Sequence, residues 1–141
     1  MKNLFFLILL FAATLTACKQ EENVEETKTT MIEEETAPEK VLRHVVICKY
    51  KDTATEADIQ SVNDAFAALP SKIEEIKGFE YGTNNSPEGL DKGFTHCYLL
   101  TFHSEEDRAA YLPHPDHKAF GELLGPFLED VMVIDYWTSA D

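Results

Sequence analysis

Residues 111 to 117 read Tyr-Leu-Pro-His-Pro-Asp-His, and the ends of that heptad, Tyr111 and His117, are a phenol and an imidazole. Held side by side, such a pair suits acid–base work: a neutral imidazole takes a proton while a hydroxyl holds a carbonyl oxygen. The prolines indicate how the pair is held. Pro113 cannot continue a helix carrying Tyr111, and Pro115 drives His114 out of the α region while suiting the first turn of a following helix. The heptad therefore predicts a rigid corner between two helices, which fixes Tyr111 and His117 relative to each other before any ligand arrives. The competing reading is a corner that only closes the fold, with Tyr111 packed as core and His117 bonded to backbone.

Other side chains belong to the same question. His44 and His96 each sit near the start of an apolar, β-branched stretch, as satisfied core or pocket-lining imidazoles. Phe94, Tyr98 and Phe102 share one strand face with His96 and offer an aromatic lining for a small apolar or aromatic molecule. His114 and His117 are three residues apart, but His-Pro-Asp-His matches no zinc spacing and thiolate pairs are absent, so no metal is expected. No motif asks for a cofactor. Cys48 and Cys97 lie in apolar runs and read as two buried free thiols, with a disulfide left open in an oxidising compartment.

These residues need a scaffold. Leu42 to Lys51 reads as a strand. Thr55-Glu-Ala-Asp58 resembles a capping box, and Ile59, Val62, Phe66 and Leu69 then recur on one helical face until Pro70 stops the helix. Phe79 to Thr83 is a short strand, and a loop with Pro87, Gly89 and Gly93 leads to the strand Phe94 to His103. A short helix begins at Ser104 and stops at Pro113, another runs from Pro115 to Leu124, and Val131 to Trp137 is the last strand. The order β-α-β-β-α-β is the ferredoxin-like α+β arrangement. Helices cover one face of a four-stranded sheet, yet these strands are apolar on both. The second face is therefore expected to be covered by a second copy, giving a homodimer.

The chain outside this domain is of another kind. Residues 1–17 combine Lys2, an apolar run and small residues, the layout of an export signal, and the run is short for a membrane span. Leu15-Thr16-Ala17-Cys18 resembles a bacterial lipobox, so Cys18 is the expected lipidation site. Residues 19–40 hold eight glutamates, three lysines and no aromatic residue, which reads as a disordered acidic tether. The protein is thus expected to be exported and lipid-anchored to a bacterial membrane, periplasmic or surface-facing, with Val41 to Asp141 as its folded domain. With 12 basic and 26 acidic residues and a net charge of −14, it is a poor partner for nucleic acid or an anionic membrane face.

Several ordered motifs carry a family resemblance: Arg43-His44-Val-Val, Lys49-Tyr-Lys-Asp52, Asn85-Ser-Pro-Glu-Gly-Leu90, Lys92-Gly-Phe-Thr-His96, the heptad at 111–117, and Glu129-Asp-Val-Met-Val-Ile-Asp-Tyr136. Together they resemble the stress-responsive dimeric α/β-barrel (Dabb) family across nearly all of residues 41–141. The resemblance implies a dimer whose two sheets join into a barrel. One plant member closes a linear polyketide by an aldol condensation using a tyrosine and a histidine. In this chain those fall on Tyr111 and His117, and two pocket-lining histidines fall on His44 and His96. Leu112 and Pro113 depart from that member, which has two isoleucines there. A cyclase-like activity using Tyr111 and His117 is one implied function; a non-catalytic, stress-related interaction module is the other.

Overall fold

The computed structural model describes residues 38–140. The expected signal peptide, Cys18 and nearly all of the acidic tether lie outside the described residues. Within them the chain forms β1 (Lys40–Tyr50), α1 (Glu56–Ala67), a 3-10 turn (Leu69–Ser71), β2 (Gly78–Thr83), β3 (His96–Phe102), α2 (Glu105–Tyr111), α3 (Pro115–Leu124) and β4 (Leu128–Ser139). The sheet is antiparallel with order β2-β3-β1-β4, and the fold is the expected ferredoxin-like α+β arrangement.

Local chemistry sets the helix ends. Thr55 caps α1 as the sequence implies: its hydroxyl accepts from the Asp58 amide, and the Asp58 carboxylate accepts from the Thr55 amide at 2.9 Å. Ser104 caps α2 through the Asp107 amide at 3.0 Å. At the corner between α2 and α3, His114 has φ −58° and ψ 138°, outside the α region as Pro115 requires. Its imidazole then caps α3, with Nδ1 accepting from the Asp116 amide at 3.2 Å.

Strand alternation gives the sheet two unlike faces. Leu42, Val46, Cys48, Leu100 and Phe102 point toward the helices and are buried, joined there by Val62 and Phe66 of α1 and Phe120 of α3. The other parity carries Val45, Ile47 and Leu99, which stay partly exposed, with Met132, Ile134 and Tyr136 beside them on β4. The edge strand β4 is the least covered element, since Val131, Val133 and Trp137, on its helix-side parity, are exposed too.

Two expectations need correction. Cys97 was expected to be a buried thiol like Cys48, but only Cys48 is buried; Cys97 lies exposed on the open face. Apolar neighbours in sequence do not bury a residue whose parity points away from the helices. The strand expected to begin at Phe94 begins at His96. Lys92 and Gly93 have φ of 55° and 87°, and the Phe94 amide donates to the Asp91 carbonyl at 2.9 Å, so Phe94 belongs to a turn.

Candidate functional site

The rigid corner does bring its two ends together. The rings of Tyr111 and His117 lie 4.2 Å apart between centroids, in a tilted arrangement. His117 Nδ1 is 2.9 Å from the Leu112 carbonyl oxygen, to which it donates. A carbonyl only accepts, so this bond leaves Nε2 of His117 as the unprotonated nitrogen of the neutral ring. Tyr111 closes α2 and is wholly buried. Burial alone raises its phenol above the ordinary tyrosine range, which keeps the proton on the oxygen.

Two residues from the sheet complete the cluster. His44 of β1 stands edge-on to Tyr111 at 5.8 Å, and Phe102 of β3 tilts against the same tyrosine at 5.2 Å. One polar atom in this packed group has no hydrogen-bond partner: the Tyr111 hydroxyl, the only such buried side-chain atom among the described residues. Leaving a buried hydroxyl unpaired costs on the order of 1–3 kcal/mol, and native proteins rarely tolerate it without a reason.

The cluster also contains residues that the sequence did not single out. His44 Nδ1 is 2.6 Å from Oδ1 of Asp135 on β4. The second carboxylate oxygen, Oδ2, accepts from Nη1 of Arg108 on α2, also at 2.6 Å. His44 and Asp135 face one another directly across the β1–β4 ladder. A lone aspartate in the apolar run Val-Met-Val-Ile-Asp-Tyr-Trp was the available signal, because a charge on a strand face needs a partner.

The other candidates lie apart from this cluster. Tyr98 is fully buried beneath α1, and its hydroxyl donates to Oδ1 of Asn63 at 2.6 Å while pairing with the Tyr50 hydroxyl at 2.8 Å. His96 packs edge-on to Tyr50 at 5.0 Å, toward the opposite end of β1 from His44, and burial lowers its pKa. Phe94 lines a cavity of about 500 Å³ with Ile47, Leu90, Cys97 and Met132. A second cavity of about 480 Å³ is bounded by Val45, Glu80, Leu99 and Tyr136. Both take in residues of the open face, and the first is also lined by His96 and by the loop residues Asn84, Leu90 and Lys92, so that Phe94 and His96 share it. Tyr111, His117, His44 and Phe102 therefore form one group, whereas Tyr98, His96 and Phe94 do not join it.

A profile of the stress-responsive A/B barrel domain matches residues 42–138. A stress-response A/B barrel domain-containing protein of Arabidopsis thaliana is 36% identical over 95 residues, covering 67% of this chain and 87% of the relative. Olivetolic acid cyclase of Cannabis sativa is 30% identical over 95 residues, 67% of this chain and 94% of that protein. Among solved structures, the hydroxynitrile lyase of Passiflora edulis superposes with a TM-score of 0.68 at 28% identity, covering 74% of this chain and 98% of its own. A dimeric ferredoxin-like protein of unknown function from Bacteroides fragilis gives 0.56 at 28% identity, covering 68% and 94%. A match spanning the whole sheet and all of its helices decides the matter: the chain belongs to the stress-responsive A/B barrel domain family.

Proposed function

We propose that this domain works as a homodimer that binds a small, neutral, apolar or aromatic molecule, with the Tyr111 hydroxyl as its polar contact. The observation that carries the reading is that hydroxyl, buried and unpartnered between the imidazoles of His44 and His117. An oxygen on a ligand would supply the missing acceptor, and the surrounding rings would supply apolar contact. The net charge of −14 favours a neutral ligand over an anionic one. Two relatives are named for reactions of small organic molecules, the olivetolic acid cyclase and the hydroxynitrile lyase, which supports a cyclase- or lyase-like use of the Tyr111–His117 pair.

The dimer part of the proposal rests on the open face. Met132, Ile134 and Tyr136 are 41%, 46% and 47% exposed in the protomer, beside Val45, Ile47 and Leu99. Contiguous apolar surface of this kind marks an interface on proteins of this size, and solved relatives are described as dimeric. The two open-face cavities would then lie against the partner's sheet. Export and anchoring through a lipid on Cys18 are also proposed, on the lipobox alone. Radiolabelled palmitate should enter the wild-type chain and not Cys18→Ser; label retained in the variant removes the anchor.

The binding reading is tested with two neutral probes, benzaldehyde and mandelonitrile, soaked into crystals of the protein and titrated in solution. Density for the probe oxygen beside the Tyr111 hydroxyl, and at least a tenfold weaker Kd in Tyr111→Phe, are the expected results. Cleavage of mandelonitrile, followed by benzaldehyde absorbance, would add the enzymatic reading. Failure of both probes and a range of aromatic ketones to bind at millimolar concentration would overturn the proposal. A non-catalytic interaction module would then be left.

A further inference from the structure

Two histidines flank Tyr111, and their Nδ1 atoms are held by different acceptors. His117 donates to the uncharged Leu112 carbonyl, whereas His44 is paired with a carboxylate at the shorter distance of 2.6 Å. When an imidazole takes up a proton it becomes a cation, and a carboxylate in contact stabilises that cation far more than a carbonyl does. The carboxylate itself is not free to turn, because Arg108 holds its second oxygen at 2.6 Å. Three elements, α2, β4 and β1, thus converge on one imidazole ring with only 6% of its side chain exposed.

From this chain of contacts we infer that Asp135 is a positioning residue that fixes the tautomer of His44 and makes its Nε2 a proton acceptor of the site. The inference rests on the binding reading above. With the carboxylate on Nδ1, the neutral ring carries its proton there and Nε2 is left as the base. A proton leaving a ligand hydroxyl would pass to Nε2; the ligand O–H bond breaks, the N–H bond forms, and the oxygen's negative charge is held by the Tyr111 hydroxyl. Arg108 locks the arrangement in a way that makes it testable. In Asp135→Asn the side-chain oxygen is the only atom that can accept from Arg108, so the amide nitrogen must face His44. That nitrogen donates, so Nδ1 would have to accept and the proton would move to Nε2.

The test reads the tautomer directly, by long-range proton–nitrogen NMR of 15N-labelled full chain in detergent, with His44→Gln used for assignment. Wild type and Arg108→Met should both carry the neutral proton on Nδ1. Asp135→Asn should move it to Nε2, and the double variant Arg108→Met/Asp135→Asn should return it, because the freed amide can flip. A purely structural ion pair predicts no such reversal. Nε2 protonated in the wild type, or an unmoved tautomer in a folded Asp135→Asn, would overturn the inference. The base role is read with 4-nitrophenol at a pH where the free probe is mostly neutral. Bound probe should show phenolate absorbance in wild type but stay neutral in a folded Asp135→Asn, with a Kd about tenfold weaker because the ionised bound form is lost. A neutral bound probe in wild type overturns the base role. No binding by any variant removes the binding reading instead, and the tautomer measurement still decides what Asp135 does.

Discussion

Two buried tyrosines, Tyr98 on β3 beneath α1 and Tyr111 at the end of α2, have opposite circumstances. Tyr98 and Tyr111 are both fully buried, and both have phenols raised by burial. The Tyr98 hydroxyl is satisfied twice, by Asn63 and by Tyr50, inside an aromatic stack with Phe66 and Tyr81. The Tyr111 hydroxyl is satisfied by nothing among the described residues, and its neighbours are two histidines. One end of the helix-covered surface is arranged so that every polar group is answered, which is what stability rewards. The other leaves a buried hydroxyl unpaired at a rigid corner, a cost that stability alone would remove.

The largest expected effect tests whether stability resides at the Tyr98 end. Phe66 stacks with Tyr98, Phe79 and Phe120 at centroid distances of 4.8, 5.2 and 4.2 Å. Phe66→Ala should cost about 3–5 kcal/mol, by lost transfer energy plus the cavity left behind. A urea melt of the variant beside wild type measures it. A loss under 1 kcal/mol would mean that this stack is not the centre of the core.

The sharper comparison removes one oxygen from each tyrosine. Tyr98→Phe leaves the Asn63 oxygen and the Tyr50 hydroxyl without their partner, and should cost about 1–3 kcal/mol. For a domain near 100 residues that lowers Tm by about 4–8 °C per kcal/mol. Tyr111→Phe removes an oxygen that has no partner to lose, so its Tm should stay level or rise. Equal losses in the two variants would show that the Tyr111 hydroxyl is satisfied in solution and would take away the argument for a ligand.

How the two ends could be read from sequence differs for a physical reason. The strand and helix order, the Thr55 and Ser104 caps and the corner at Pro113 and Pro115 were legible, because they follow from periodicity and from residues one to four apart. The meeting of Tyr111 with His117 was legible for the same reason. Asp135, Arg108 and Asn63 were not, since each works through a partner 91, 27 or 35 positions away. Asp135 reaches His44 only because the β1–β4 register sets them opposite, and sequence periodicity does not specify register between strands. Tyr98, His96 and Phe94 lie away from Tyr111, and Phe94 and His96 line a cavity of their own. Their shared parity on one strand was read correctly for Tyr98 and His96, but distance along the strand separates them from the corner.

Alkaline titration should make the two tyrosines alike again. Burial pushes Tyr50 up to about 12, against the weaker opposing effect of its bond to Tyr98, and it raises Tyr98 and Tyr111 as well. A phenol raised in the folded state ionises first in the unfolded chain, so stability is held below pH 10 and lost as pH rises toward 12. Both Tyr98→Phe and Tyr111→Phe should flatten that loss, although only the first weakens the protein at neutral pH. Tyrosinate absorbance recorded along with circular dichroism would show ionisation and unfolding together. Ionisation of all tyrosines near pH 10 with the fold intact would contradict the burial account.

The smallest effect concerns His96, which borders the satisfied end. Burial lowers its pKa below the ordinary 6.5, so the unfolded chain takes up a proton before the folded one does. Its contribution to stability is therefore present above pH 6.5 and declines as the pH falls below it. His96→Gln should narrow the difference in urea midpoint between pH 7.5 and 5.5, with little change at the higher value. An acid limb identical in wild type and His96→Gln would place the pH sensitivity elsewhere in the domain.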